Sequence, residues 1–532
     1  MAGKCCVLAK GCVATVRCTL SRLKPWLTQL PQIESRLWLV PILILALALR
    51  LFRLGTNSLW FDEAFSWIVA RRPAWAILTQ RIAPILPPLY HFLLHFWIRL
   101  GENAFALRSF SALCGLLTIP VMYTLGRELF TPAIGLAVAL LTAVLPFQVY
   151  FAQEARPYAL VVLLSALTLW AFVRSWRGTA YGPWVGFGLL TALSLYAHYF
   201  TVFSLVAFHG FALLAWPRDR RCWRGLLLSD LVAMVLVGPH LPSAWAQTYQ
   251  VATHFWLSPP SPLQPLKTLD YLLFSHTTPL FLVPVALFFT LSIFAIVTWE
   301  ATRACDKTRW WLLLLLALVL TPILVALLLS WLIAPVYLDR SFSLVTPAYV
   351  LFLGWGLAQL ARRSPLPLLY GGLAVVVVIS LGNHYFKPDP AKPPFRKVGV
   401  VLRGDWQEGD VLLHLHDSSY LPILYYAPEL ESYLLNNDPD AWLPPYTWQW
   451  AGQRVSSLDE VVAGKLRLWL VVMPGRINDR QEELLAQIKA RYEEKKEWGW
   501  PAVDPVELRL YNLSGADANS PMDMSLACRV CR

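Results

Sequence analysis

Two adjacent acidic residues, Asp62 and Glu63, lie in the stretch SLWFDEAFSW, residues 58 to 67, among large aromatic side chains. A positioned carboxylate can act as a general base that takes a proton from a hydroxyl or an amine. The two residues also fit the first turn of a helix that starts near Ser58, where the helix dipole stabilises acidic side chains by about 0.3 to 1 kcal/mol. The residue types therefore allow either a catalytic or a structural role.

Three arginines are candidates for binding a phosphate, because the planar guanidinium group matches the geometry of phosphate oxygens. They are Arg108 in the stretch ALRSFSAL, Arg156 in FAQEARPY and Arg340 in VYLDRSF. Each could instead be structural. Arg108 could extend to a membrane surface, and the other two could pair with the neighbouring acidic residues Glu154 and Asp339.

The composition indicates the kind of element that must position these residues. The chain has 532 residues, of which 57% are hydrophobic and 15% charged, and it contains 25 Trp. These values are typical of a membrane protein with several spans. The net charge of +12 does not indicate nucleic-acid binding, because the basic residues lie in short clusters between apolar runs.

Apolar runs of spanning length, about 17 to 25 residues, recur from residue 37 to residue 384. The sequence therefore predicts an α-helical polytopic membrane protein with about eleven transmembrane helices. The predicted spans are 37–53, 104–125, 133–151, 157–174, 183–200, 201–216, 225–245, 278–299, 310–333, 341–360 and 365–384.

The basic clusters predict the orientation of these helices. They lie around residues 174–177, 218–224, 303–309 and 362–363, which are alternate connections. Because cytoplasmic loops are enriched in Lys and Arg, these connections and the amino terminus are predicted to be cytoplasmic. The other connections then face outward, as does everything after residue 384. They are 54–103, 152–156, 246–277 and 334–340.

The segment PPLYHFLLHFWIRL, residues 87 to 100, is predicted to lie in the outer membrane interface, because counting it as a span would place the basic loops on alternating sides. Its His91, His95 and Arg99 recur at helical spacing, which indicates a wet polar stripe on an apolar helix. The two histidines could alternatively bind a metal, but no third ligand is evident.

The predicted topology brings several ionisable clusters to the outer face. Such residues are costly near membrane depth, so those present usually line a cavity. The stretch YAHYF ends the fifth span at this level, and its His198 could belong to the site or be a packed polar group. The candidate substrate contacts are Trp60, Tyr90, His91, Glu154, Tyr158, His198 and Tyr199.

The two ends of the chain differ from the apolar region. Residues 1–36 are basic and are predicted to be a cytoplasmic tail, because they lack the features of a removable signal peptide. Residues 385–513 read as alternating strands and helices, which predicts an extracytoplasmic α/β domain, and NDRQEELLAQIKARYEEKKEW reads as one of its helices. Residues 514–532 are predicted to be disordered.

The nine cysteines give little functional information. Most lie in segments predicted to face a reducing compartment. Only Cys528 and Cys531, in the terminal stretch CRVCR, would face an oxidising one. A single C-x-x-C at a chain end is weak support for a disulfide or a metal site.

Several stretches together resemble a known family. SLWFDEAFSW, PPLYHFLLHFW, ENAFALRSFSALCGLLTIPVMYTLGRELF, PFQVYFAQEARPYAL and YLDRSFSLVTPAY look, in that order, like the amino-terminal module of the C superfamily of membrane glycosyltransferases. The chain is most similar to the bacterial relatives of the protein O-mannosyltransferases and of the aminoarabinose lipid A transferase, and is thus glycosyltransferase family 39-like. The resemblance covers residues 35 to 385.

The resemblance implies a polyprenyl-phosphate-linked sugar as donor and transfer at the extracytoplasmic face of the plasma membrane to a protein, lipid or glycan acceptor. By position it makes Asp62 the catalytic acidic residue, Glu63 its companion and Arg108 an arginine of the site. Relatives commonly have a His, Lys or acidic residue just before the double proline, where this chain has Leu86. His91 or Arg81 could then supply the missing contact. The resemblance implies no certain cofactor, although a divalent cation is possible.

Two other hypotheses remain open from the sequence. A lipid-sugar transporter would also need a lipid groove with arginines, but the chain shows no inverted repeats or interrupted spans in matching halves. A catalytically inactive scaffold could bind a partner through its α/β domain. Only an enzyme requires a base at the site.

Overall fold

A computed structural model of the chain describes most of its residues. The described residues are 37–79, 87–215, 220–254, 257–304, 306–363, 367–387, 392–435, 453–455, 457–501 and 505–513. The two predicted tails, 1–36 and 514–532, lie outside them, as do Arg81, Leu86 and the terminal C-x-x-C.

The chain forms two compact units. The first comprises residues Met1–Leu54, Ile77–Gln80 and Pro84–Lys387, and the second comprises Gly55–Ala76, Arg81–Ala83 and Pro388–Arg532. The segment after the first apolar helix, which carries Asp62 and Glu63, therefore belongs to the unit formed by the carboxyl-terminal part of the chain. The boundary predicted from sequence had placed this segment with the apolar helices.

The described part of the first unit is helical. The helix α2 (Phe61–Ala70) lies in the second unit. The helices of the first unit are α1 (Leu39–Leu51), α3 (Ala74–Leu78, which crosses the boundary of the units), α4 (Leu89–Trp97), α5 (Ala104–Leu129), α6 (Pro132–Val144), α7 (Pro146–Ala152), α8 (Tyr158–Arg177), α9 (Gly182–Ala197), α10 (Thr201–Ala215), α11 (Arg220–Val237), α12 (Leu241–His254), α13 (Gln264–Phe274), α14 (Val283–Thr302), α15 (Asp306–Leu332), α16 (Thr346–Arg363) and α17 (Pro367–Phe386).

Each of the eleven predicted spans coincides with one of these helices or with a pair of them. Among the described residues, six helices are long and apolar enough to cross a membrane, and the bent pair α6 and α7 would make a seventh. Four shorter apolar helices, α1, α9, α10 and the part of α17 from Gly371 to Phe386, occupy the remaining predicted positions. The structure thus shows a multi-span membrane protein, and the number of eleven crossings stays a prediction.

The bend in the predicted third span has a local cause. Thr131 caps α6 by accepting the backbone N–H of Ile134, and the helix ends at Val144. Pro146 then starts α7 at an angle of 55° to α6, because proline fits the first turn of a helix but not its interior. All seven residues of α7 are buried, and the helix ends directly before Gln153.

The helix α4 differs from the predicted interfacial helix in one respect. It begins at Leu89 after Pro88, runs for nine residues and continues into a 3₁₀ turn, Ile98–Leu100. Arg99 is exposed, but His91 is only 2% exposed. The prediction of a wet stripe through all three polar residues is therefore wrong at His91.

The carboxyl-terminal part of the second unit is an α/β domain. Its strands are β1 (Asp410–His414), β2 (Ser432–Leu435), β3 (Gln453–Val455), β4 (Arg467–Val472), β5 (Glu493–Trp500) and β6 (Val506–Asn512), and its helices are α18 (Phe395–Asp405), α19 (Asp417–Tyr426), α20 (Leu458–Val462) and α21 (Asp479–Arg491). The strands form one sheet in the order β3-β2-β1-β4-β6-β5. The first four strands in this order are parallel to one another, whereas β6 pairs antiparallel with both β4 and β5.

Side chains from the two faces of this sheet form separate cores. Leu413 and Leu470 belong to the core that includes Ile488 of α21, and Leu412 and Trp469 belong to the core that includes α18. Because successive strand residues point to opposite faces, strands buried on both faces read as continuous apolar runs. This explains the stretches VLLHLH and KLRLWLVVMP in the sequence.

The helix predicted over NDRQEELLAQIKARYEEKKEW is shorter in the structure. A reciprocal capping box of Asn478 and Gln481 starts α21, as the residue types favour. The helix ends at Arg491, and the following residues form strand β5 along β6. The prediction was wrong there because pairing with a neighbouring strand outweighs the helical preference of Glu and Lys.

Candidate functional site

In the first unit, candidate site residues lie in the short connection after α7. Glu154 is 2% exposed and Arg156 is 6% exposed. The Tyr150 hydroxyl, one turn earlier, donates to the Glu154 carboxylate at 2.9 Å. A buried carboxylate and a buried guanidinium group are therefore held on a connection of five residues, 153–157.

The end of α1 fixes the start of this connection. The side-chain amide of Gln153 lies 3.1 Å from the carbonyl oxygen of Leu49 and 2.9 Å from those of Arg50 and Phe52. The last carbonyls of a helix have no partner within the helix, so a side-chain donor satisfies them. The His384 ring also lies 2.9 Å from the Gln153 side chain.

A chain of hydrogen bonds positions Arg156 from the other side. The Tyr90 hydroxyl lies 3.1 Å from the Ser111 hydroxyl, which donates to the Arg156 carbonyl oxygen at 3.3 Å. Tyr90 is completely buried. Tyr90 therefore supports the connection through Ser111, and its predicted contact with the substrate stays a prediction.

Two histidines lie next to the arginines. His198 lies at the end of α9, and its ring is 6.4 Å from that of Tyr158. The backbone N–H of Phe200 donates to His198 Nδ1 at 3.2 Å, which leaves the proton of the neutral ring on Nε2. Burial, together with Arg156, lowers the pKa of His91 to about 3. At neutral pH the His91 ring is uncharged, so the arginines supply the positive charge.

Tyr271 of α13 joins this group, although the sequence did not single it out. Burial raises the pKa of its hydroxyl, and Arg340 and Glu154 both lie close enough to affect it. Its ring lies 6.4 Å from that of Phe151, which lies 4.9 Å from that of Tyr158. No sequence motif surrounds Tyr271, because its place depends on how α13 packs against α7.

These residues form one group that we call the arginine cluster. Its members are Arg156, Arg340, Glu154, Tyr158, His91, His198 and Tyr271. The buried guanidinium group of Arg156 and the half-buried one of Arg340 suit a negatively charged ligand, because together with the histidines and tyrosine hydroxyls they offer charged and uncharged hydrogen-bond donors.

Two other predicted residues, Arg108 and Tyr199, have different surroundings. Arg108 is 1% exposed and donates to the Leu54 carbonyl oxygen at 3.0 Å, which does not fit a side chain extended to a membrane surface. The Tyr199 hydroxyl lies 2.9 Å from His240 and from Gln247.

Asp339 has partners on another helix. Its carboxylate accepts hydrogen bonds from Thr268 at 2.6 Å and from Gln264 at 2.9 Å, both on α13. Asp339 thereby ties α13 to the segment that carries Arg340.

In the second unit, the two adjacent acidic residues lie in the first turn of α2, which begins after the extended residue Trp60. Glu63 is completely buried, and its carboxylate lies 3.9 Å from the ammonium group of Lys392. Asp62 is partly exposed. The two carboxylates therefore occupy different environments, because adjacent residues of a helix point about 100° apart.

A metal site is not apparent in the described part of the chain. No group of three or more His, Cys, Asp or Glu residues there could hold a metal ion.

Comparisons with known proteins identify the fold. Residues 86–243 match the family described as dolichyl-phosphate-mannose-protein mannosyltransferase. The structure of ArnT from Cupriavidus metallidurans in the apo state superposes with a TM-score of 0.61 at 13% identity, over 89% of this chain and 97% of that one. This chain shares its fold with that ArnT structure.

The same fold is found in a second ArnT structure, from the same organism and bound to undecaprenyl phosphate. It superposes with a TM-score of 0.57 at 14% identity, over 89% of this chain and 98% of that one. No curated protein sequence matches this chain. The resemblance to C-superfamily glycosyltransferases that the sequence motifs indicated is confirmed.

Proposed function

We propose that this protein is a membrane glycosyltransferase that moves a sugar from a polyprenyl-phosphate-linked donor to an acceptor. The observation that carries the proposal is the arginine cluster, in which the Arg156 guanidinium lies 5.8 Å from the centre of the Tyr158 ring and the His198 ring lies 6.4 Å from the same ring. The match of residues 86–243 to a family of glycosyltransferases that use a lipid-phosphate donor supports it. The shared fold with ArnT, which binds undecaprenyl phosphate in one structure, supports it as well.

The arginine cluster would hold the phosphate of the donor. As the bond from the sugar to the phosphate breaks, the leaving polyprenyl phosphate gains negative charge. Guanidinium groups stabilise that charge with paired hydrogen bonds. Because the protein already holds these groups in place before the reaction, little reorganisation is needed. His198 would add a neutral hydrogen-bond donor through Nε2. Arg108 would hold the backbone after α1 through its hydrogen bond to the Leu54 carbonyl oxygen.

Asp62 would act as the base. An acceptor hydroxyl or amine attacks the anomeric carbon, and its proton passes to the Asp62 carboxylate while polyprenyl phosphate departs. The partial exposure of Asp62 allows a substrate to reach it, whereas the buried Glu63 has no such access. Trp60, directly before α2, would offer its ring to the sugar or the prenyl chain.

Transfer would take place at the extracytoplasmic face of the plasma membrane, where the loops without basic clusters are predicted to lie. The acceptor would be a protein, a lipid or a glycan. The sugar would be a hexose or a pentose. A non-catalytic lipid-sugar transporter or scaffold is the alternative, and it would bind the same lipid phosphate without releasing a free one.

The test has two steps with purified protein in lipid nanodiscs. Native mass spectrometry first measures binding of undecaprenyl phosphate to the wild type and to Arg340→Ala, with Arg303→Ala as the matched control outside the cluster. Transfer is then measured as release of undecaprenyl phosphate from synthetic undecaprenyl-phosphate pentose and hexose donors in the presence of a cell-envelope extract as acceptor.

We expect the wild type to bind the lipid phosphate, Arg303→Ala to bind as well as the wild type, and Arg340→Ala to bind at least about tenfold more weakly. Acceptor-dependent release from at least one donor would support the enzyme. Binding without release would favour the transporter or scaffold, and equal binding by all three proteins would remove the arginine cluster from the site.

A further inference from the structure

We infer that the carboxyl-terminal α/β domain positions the helix that carries Asp62, and that Glu63 and Lys392 are positioning residues in this arrangement. The inference rests on the proposed function of Asp62 as the base. It gives the α/β domain a role in the reaction although the domain has no glycine-rich phosphate loop. It also replaces the predicted catalytic role of Glu63.

Side chains of the α/β domain hold the backbone that leads into α2. The guanidinium group of Arg396 donates to the carbonyl oxygens of Gly55 at 2.8 Å and Thr56 at 3.2 Å. The backbone N–H of the same residue donates to the Ser58 hydroxyl at 3.2 Å. The first turn of α18 thus holds this segment at three residues, Gly55, Thr56 and Ser58.

The last residues before α2 are held by α19. The backbone N–H of Leu59 donates to the Tyr426 hydroxyl at 2.7 Å, and Leu59 is completely buried. The Tyr425 ring meets the Trp67 ring edge to face at 5.1 Å on the next turns of α2. Because α2 packs along α19 at both its start and its middle, its axis is fixed relative to the domain.

The pair of Glu63 and Lys392 fixes the rotation of α2 about that axis. The side chain of Glu63 is 0% exposed and that of Lys392 is 4% exposed. A buried carboxylate strongly prefers a nearby cation, so rotation that removed Glu63 from Lys392 would be costly. Since Asp62 is the adjacent helical residue, a fixed direction for Glu63 also fixes the direction of Asp62.

The alternative is that these contacts only stabilise the domain. A positioning role and a stabilising role differ in what a substitution changes. Loss of positioning lowers kcat of the folded protein while the KM for the lipid donor, which the arginine cluster determines, stays the same. Loss of stability lowers the amount of folded protein and leaves kcat per folded molecule intact.

The experiment compares Lys392→Met with Lys465→Met in the full-length protein. Lys465 pairs with Glu431 at 2.7 Å elsewhere on the same domain, so its substitution removes an equivalent charge without touching α2. We expect kcat per folded molecule to fall by about 10²-fold in Lys392→Met, with the donor KM within about twofold, and to be unchanged in Lys465→Met. The exchanged pair, Glu63→Lys with Lys392→Glu, should recover part of the loss.

Hydrogen exchange measured by mass spectrometry gives a second readout that requires no activity. Peptides covering residues 58–70 should exchange faster in Lys392→Met than in the wild type and in Lys465→Met. This result would stand even if no donor gave turnover with the wild type, so a failure of the proposed function is distinguishable from a failure of the positioning.

Tyr426→Phe covers the case in which Lys392→Met does not fold. It removes only the hydroxyl that accepts the Leu59 N–H, and Tyr433→Phe, which removes a surface hydroxyl bonded to Glu431, is its control. Faster exchange of residues 58–70 in Tyr426→Phe alone would support the inference. Unchanged exchange and unchanged kcat per folded molecule in the folded variants would overturn it.

Discussion

At the scale of single residues, Asp62 and Glu63 show what a sequence motif leaves undetermined. The motif places two acidic residues together, and both fit the same chemistry. Burial then separates them, because Glu63 is enclosed with Lys392 whereas Asp62 is partly exposed. The partner of Glu63 lies far away in the sequence, where no local pattern could indicate it.

Asp62→Asn tests the base directly. The substitution keeps the shape of the side chain but removes its ability to accept a proton. We expect the rate of transfer per folded molecule to fall by about two to four orders of magnitude, while binding of undecaprenyl phosphate is retained.

Asp459→Asn is the matched control, because Asp459 also lies in the first turn of a helix of the second unit. If the role of Asp62 is only to complement the helix dipole, both substitutions should cost about 1 kcal/mol of stability or less and leave turnover intact. Near-normal turnover of Asp62→Asn would end its assignment as the base.

The neutral His91 of the arginine cluster predicts how stability depends on pH. Its pKa is lowered in the folded protein to about 3, from its usual value of 6.5, chiefly by burial. Between these values the unfolded chain binds a proton that the folded protein does not, so stability is lost as the pH falls from 6.5 towards 3.

Thermal unfolding of the wild type and His91→Asn from pH 7 to pH 4.5 checks this prediction. Asparagine keeps a polar side chain at this position but does not titrate. The wild type should lose more stability than the variant over this range. Equal losses would show that the folded protein binds this proton as readily as the unfolded chain does.

At the scale of elements, the sequence predicted apolar helices well and mixed segments poorly. All eleven predicted spans coincide with helices, because a long apolar run has few alternatives in lipid. The bend at Pro146 was not predicted, although proline is its local cause. Residues 493–498 were assigned to a helix, because the pairing that makes them part of strand β5 depends on β6, which follows them in the chain.

Close packing of α9 against α11 gives a prediction at this scale. A Cβ at Gly188 would lie 2.5 Å from the backbone oxygen of Ser229, so Gly188→Ala requires the two helices to separate. We expect a cost of about 1 to 3 kcal/mol, seen as a lower midpoint of thermal unfolding.

Gly186 on the same helix provides the control, because a Cβ there would meet nothing within 4 Å. Gly186→Ala should be neutral or should stabilise the helix by up to about 1 kcal/mol, since alanine favours helices. Similar midpoints for the two variants would mean that α9 and α11 are not in close backbone contact.

At the scale of the whole molecule, the sequence predicted a membrane region and an α/β domain but not how the chain is divided between two units. Leu59 and Tyr426 are joined by a hydrogen bond across 367 residues, and such pairing leaves no trace in composition or periodicity. Arg156 and Arg340 were predicted from their residue type and from their position at the outer face in the predicted topology. Tyr271 and the supporting role of Tyr90 required the packing of the helices.

The orientation in the membrane is the last prediction, and it follows from charge alone. Basic clusters such as Arg174 and Arg177 favour the cytoplasmic side, which places the α/β domain on the opposite side. In a background without accessible cysteines, Glu483→Cys tests the domain and Thr179→Cys tests the basic loop, since both positions are exposed. An impermeant thiol reagent should label only Glu483→Cys in right-side-out vesicles and only Thr179→Cys in inverted vesicles. The reverse pattern would place the α/β domain, and Asp62 with it, in the cytoplasm, where transfer at the extracytoplasmic face could not occur.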